Sequence, residues 1–166
     1  MKVFNLFDGP LEADPSEPAG YGSPYAKLYE NVGAERLAGT VAVLAQDEWV
    51  CPYHYELVEE EWLFVLEGTA TVRAPHGQER VAAGEVVCFP RGPAGAHQIG
   101  NTAPEPLRVL IVSERALCAA TIYATSDKVG VFGPETRYLF RREDARDYWD
   151  GEPHPVNDHE PPSGDS

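Results

Sequence analysis

Apolar and polar positions alternate in short runs through the middle of the chain, and turn residues interrupt each run. Residues 39–44 read GTVAVL, 61–66 read EWLFVL and 69–73 read TATVR. Residues 49–57 alternate around a polar face. Residues 79–81, 85–89 and 97–100 are briefer, and 107–113 (LRVLIVS) is the clearest buried strand. Glu67-Gly68, Pro75-His76-Gly77, Ala83-Gly84 and the loop 90–95 supply the turns. Strands this short, at this regular spacing, predict an all-β sandwich or closed barrel. The one helical candidate is 142–149, and no strand is read after 107–113.

Residues 1–26 cluster Asp, Pro, Gly and Ser and read as an N-terminal arm. The barrel domain is expected over 27–150, and 151–166 as a disordered acidic tail without apolar periodicity.

The chain has 13 basic and 27 acidic residues, a net charge of −14. Such a surface repels phosphate backbones and anionic lipid, which argues against nucleic acid or a membrane as partner. No stretch approaches the roughly 18 apolar residues of a spanning helix. Cys51, Cys88 and Cys118 are odd in number and form no CxxC pair, so free thiols in a reducing compartment are expected. The apolar start is too short for a signal-peptide core, and a cytoplasmic location is expected.

Candidate chemistry lies in two segments. His54 and Glu56 are two apart, which on a strand turns both to one face. Glu61 opens a strand that is otherwise apolar on both faces, and a buried carboxylate there needs a partner or a cation. His97 follows a Pro/Gly loop that turns the chain back. Singly, each has a plainer reading: His54 and His97 as surface histidines, 59–61 as a solvated acidic turn. Jointly, imidazole and carboxylate suit first-row divalent metals.

The arrangement resembles the cupin superfamily. Its first motif is Gly, five residues, His-x-His, three or four residues, Glu, six residues, Gly; here stand His54, Glu56, Glu61 and, six residues on, Gly68. Its second is Gly, five residues, Pro-x-Gly, two residues, His, three residues, Asn; here stand Gly84, Pro90-Arg91-Gly92, then His97 after four residues, and Asn101. Glu56 replaces a histidine, and Gly39 lies well before the usual first glycine. The loop is similar to that of single-domain bacterial cupins reading Phe-Pro-x-Gly-Pro-x-Gly-x-His.

The resemblance implies a double-stranded β-helix, or jelly-roll barrel, with a short C-terminal helical segment. It implies a divalent metal ion (Mn, Fe, Zn or Ni) on His54, Glu56, Glu61 and His97. A small oxygen-rich organic ligand is expected in the barrel, with Tyr53, Gln98, Lys128 and Arg91 as substrate contacts. Metal-assisted dioxygenase or isomerase chemistry follows from open coordination positions; a non-catalytic binder or sensor, or an empty site in a structural dimer, are the rivals. Small cupins commonly pair, and Val3, Phe4 and Leu6 could serve a homodimer.

Overall fold

The apolar run read at 107–113 lies at the centre of a five-stranded antiparallel sheet. The computed structural model describes residues 1–152; the acidic tail expected over 151–166 lies almost entirely outside the described residues. The strands are β1 (Tyr25–Lys27), β2 (Leu37–Leu44), β3 (Tyr55–Glu56), β4 (Glu61–Glu67), β5 (Thr69–Ala74) and β6 (Gly77–Ala82). They continue as β7 (Val86–Phe89), β8 (Gln98–Gly100), β9 (Leu107–Glu114), β10 (Ala119–Tyr123), β11 (Lys128–Gly133) and β12 (Thr136–Arg141). The order is β1-β2-β9-β4-β7 in one sheet, β6-β5-β8 in a second and β12-β11-β10-β3 in a third.

Alternation decides what goes inside. In β2, β4 and β9 the residues Leu44, Leu63, Val65, Leu107 and Val109 are almost fully buried. Register places Leu44 opposite Leu107 and Leu63 opposite Ile111. They join Ala70, Val72, Val81, Phe89 and Ile99 in one core cluster. Each such aliphatic side chain contributes roughly 1.5–3 kcal/mol relative to exposure.

Two features of the second motif explain themselves here. Asn101 is wholly buried, and its amide donates to the Leu44 and Glu105 carbonyls while its oxygen accepts the Ala103 N–H. It clamps the chain between β8 and β9. Gly95 packs so tightly that an added Cβ would lie 1.7 Å from the Pro90 carbonyl oxygen. Only glycine lets this loop close before His97.

The arm is tied to the body. Glu12 and Tyr25 exchange backbone hydrogen bonds, Trp49 N–H donates to Gly20, and the Arg108 guanidinium donates to the Leu6 carbonyl. Tyr25 and Ala26, read as arm, are the first residues of β1. A short helix, α1 (Leu28–Val32), follows and ends at Gly33 in the left-handed conformation.

The helix expected over 142–149 does not form. A single 3-10 turn spans Arg142–Asp144, closed by the Ala145 N–H on the Arg142 carbonyl. Asp147 then accepts the Trp149 N–H on its side chain, an Asx-type bond that competes with helix. The larger departure is β10, β11 and β12, a meander that the sequence reading did not place. It docks through β10 onto β3, pairing Thr121 with Glu56 and Ile122 with Tyr55.

Candidate metal centre

His54 and His97 oppose each other in an isolated antiparallel bridge. Directly opposed residues share one face, and the two imidazoles stand 4.7 Å apart between centroids. Glu61 opens β4, paired with Phe89 and Ser113. One donor atom each from His54, Glu61 and His97 lies within 4.8 Å of the others. Both histidines are buried and Glu61 is half-buried.

The backbone fixes which nitrogens face inward. His54 Nδ1 lies 3.0 Å from the Pro52 carbonyl and His97 Nδ1 lies 2.9 Å from the Gly95 carbonyl. A carbonyl only accepts, so each Nδ1 carries the hydrogen and donates it. In the neutral rings each Nε2 then presents a lone pair. His97 Nε2 is 2.9 Å from Glu61 Oε1, and His54 Nε2 is 3.6 Å from Glu56 Oε1. Lone pairs aimed at carboxylate oxygens repel unless a proton or a cation stands between them. Burial, and then His97, hold His54 below the ordinary imidazole range despite Glu61. A neutral His54 is the form a metal requires. The donor set, with its outer hydrogen bonds in place, fits a divalent ion.

Phe89 stacks on His97 at 3.7 Å and 8°, which holds the ring plane. Cys51 Sγ lies 3.4 Å from His54 Nδ1; burial, then Glu61 and Glu56, push its thiol pKa up, so it stays protonated.

Glu56 stands beside this cluster, outside the three-residue group. Thr121 Oγ1 donates to its Oε2 at 2.8 Å. Burial above all pushes its carboxyl up to about 7; the Thr121 hydroxyl pulls it down, and Glu61 and Glu59 push it further up.

The four expected substrate contacts separate. Alternation turns Tyr53 away from His54, and its ring lies 4.2 Å under the Arg73 guanidinium. Gln98 is turned away from His97 in the same manner, and its amide donates to the Cys51 carbonyl and to Tyr21 Oη. Lys128 pairs with Tyr123 across β10 and β11, its ammonium 5.3 Å from that ring, and Tyr123 is 6.1 Å from His54. Arg91 is exposed, on a separate cavity. Sequence reasoning missed Thr121 and Tyr123; the run of β-branched and aromatic residues at 121–123 was the available signal.

Residues 40–113 match the cupin domain family. That stretch contains both histidines, both carboxylates and the strands from most of β2 to most of β9. Residues 40–113 form a cupin domain. Among solved structures, this cupin is similar to a candidate sugar phosphate isomerase from Acidithiobacillus ferrooxidans, at 25% identity and TM-score 0.74, covering 84% of this chain and 88% of that one. A cupin-superfamily sugar phosphate isomerase from Silicibacter pomeroyi shares the fold at 18% identity and TM-score 0.76, covering 89% and 98%. A polyketide cyclase from Streptomyces resistomycificus aligns at 26% identity and TM-score 0.56, over 69% and 79%. No curated protein matches the chain.

Proposed function

We propose that this cupin binds a divalent metal ion through His54, Glu61 and His97 and isomerises a small hydroxy-carbonyl compound. One observation carries the reading: both Nε2 atoms are freed toward the centre by backbone carbonyls on Nδ1, and His97 Nε2 meets the Glu61 carboxylate at 2.9 Å. The similarity to the Acidithiobacillus protein supports isomerisation over oxygen chemistry.

A bound ion supplies electrophilic polarisation of a substrate oxygen. The protein supplies the rest. Phe89 and the two backbone carbonyls keep the imidazoles from turning. Glu56, whose Oε1 lies 3.6 Å from His54 Nε2 and whose carboxyl is raised by burial in the ion-free protein, is placed to take and return a proton at Oε1. Thr121 holds the opposite oxygen and so aims it. The sequence spacing gives Glu56 a second reading, as a fourth ligand, favoured by its 3.6 Å approach to His54 Nε2.

Elemental analysis of the purified protein tests both points. Close to one equivalent of a first-row metal is expected in the wild type and in Glu56→Gln, and strong loss in His54→Ala and His97→Ala. Metal retained by both histidine variants would overturn the site. Metal lost from Glu56→Gln would make Glu56 a ligand.

A further inference from the structure

A cavity of about 900 Å³ opens at the end of the five-stranded sheet where Glu61 begins β4. Register fixes the location: Leu37, on its wall, pairs with Glu114, and the neighbouring Ser113 pairs with Glu61. The Arg91 loop on another wall is joined to β3 by the Gly92 N–H, which donates to the Glu56 carbonyl at 2.7 Å. The cavity is separate from the metal centre and is joined to it through β3, β4 and the Arg91 loop. Its volume falls within the roughly 300–1,000 Å³ of small-molecule sites.

Three arginines line it, each from a different part of the chain: Arg36 ahead of β2, Arg91 after β7 and Arg115 after β9. Arg115 is braced, its guanidinium 4.6 Å over the Tyr29 ring and its backbone N–H donating to the Arg36 carbonyl at 2.9 Å. Glu35, Glu59 and Glu114 also line the cavity. Glu59 is engaged, since its Oε1 accepts the Ala116 N–H at 2.8 Å. Among the described residues, no carboxylate oxygen lies within 4 Å of any of the three guanidiniums. Arg108, by contrast, is paired with Glu67 at 2.9 Å.

In a chain of net charge −14 and 13 basic residues, this cavity gathers three arginines, none within 4 Å of a carboxylate among the described residues, which balance the three glutamates of its lining. Guanidinium forks match the oxygens of a phosphate dianion and hold it in two-point contacts. We propose that Arg36, Arg91 and Arg115 bind the phosphate group of a small phosphate monoester. Its assignment as the handle of the substrate rests on the metal-centre reading above; the anion site itself rests on the arginines.

Calorimetric titration with inorganic phosphate, against acetate as a monoanionic control, tests the proposal on metal-loaded and on chelator-stripped protein. Phosphate is expected to bind in both forms, more tightly than acetate. Arg91→Gln and Arg115→Gln should each weaken it about tenfold or more, while exposed Arg80→Gln on β6 leaves it unchanged. Absence of phosphate binding, equal binding of acetate, equal affinity in all three variants, or binding only in the metal-loaded form would overturn the anion site. Metal content is measured on the same samples. An arginine-dependent phosphate site in a protein that takes up no metal would sink the metal reading and leave this one standing; metal uptake without arginine-dependent phosphate binding would do the reverse.

Discussion

His54 and His97 are locked to each other through their backbones: each N–H donates to the other's carbonyl, at 3.0 and 2.8 Å. Two imidazoles distant in sequence are thereby placed on one face before any ion arrives. Their positions depend on main-chain geometry, so perturbing the backbone of the 90–95 loop should act on the centre as strongly as removing a ligand.

Gly95→Ala probes this. The new methyl would sit 1.7 Å from the Pro90 carbonyl oxygen, so the loop must move and His97 with it. Metal affinity, read by competition with a chromophoric chelator, should fall at least about tenfold, a loss of about 1.4 kcal/mol or more. Thermal unfolding of the same variant offers a control for folding.

Glu56 gives the metal-free protein a pH signature. In the unfolded chain this carboxyl titrates near the ordinary 4.5; in the folded protein it is pushed up to about 7, chiefly by burial. The folded state thus binds this proton more tightly, and the stability it contributes at low pH is lost as pH rises from 4.5 through 7. Glutamine cannot ionise. Glu56→Gln should therefore raise the Tm of chelator-stripped protein at pH 8 relative to wild type, and the gain should shrink steadily toward pH 4.5 and vanish below it. His54 runs oppositely: its lowered folded pKa makes its contribution fade as pH falls below the unfolded value, in both proteins alike.

Thr121 controls that same proton. Its hydroxyl donates to Glu56 Oε2 at 2.8 Å and pulls the carboxyl down. In Thr121→Val the Glu56 carboxyl should titrate higher than in wild type, observed by carbon NMR of the side chain, with metal content unaltered. An unshifted titration would separate β10 from the chemistry.

The core prediction is simpler. Leu63 is fully buried on β4, and truncation to alanine leaves a cavity between β4 and β9. Leu63→Ala should cost about 2–5 kcal/mol in urea unfolding.

The barrel strands were legible because local periodicity marks them; His54, Glu61 and His97, which the fold brings together, were marked by motif spacing, and Glu56, expected with them, stands outside that group. Alternation in 61–66 and 107–113 names the inward residues, and a carboxylate at the head of an apolar strand stands out. Asn101 was legible as motif, though its clamp role appears only in three dimensions. The meander β10 to β12 was less so. Its Tyr138, Leu139 and Phe140 are exposed on both faces of an edge strand, so no clean alternation marks it. The expected contacts Tyr53 and Gln98 flank the two histidines in sequence, and strand alternation turns such neighbours to the other side. The arginine cavity joins residues from three distant segments, which no linear pattern reveals.

The pairing of β10 with β3 divides the protein's chemistry between two stretches of polypeptide. The candidate metal donors His54, Glu61 and His97 lie within 40–113, whereas the hydroxyl bonded to Glu56 and the ring of Tyr123 arrive from beyond it. Diversification of the C-terminal extension could therefore retune acid–base behaviour and substrate fit while leaving the ion's own cage untouched.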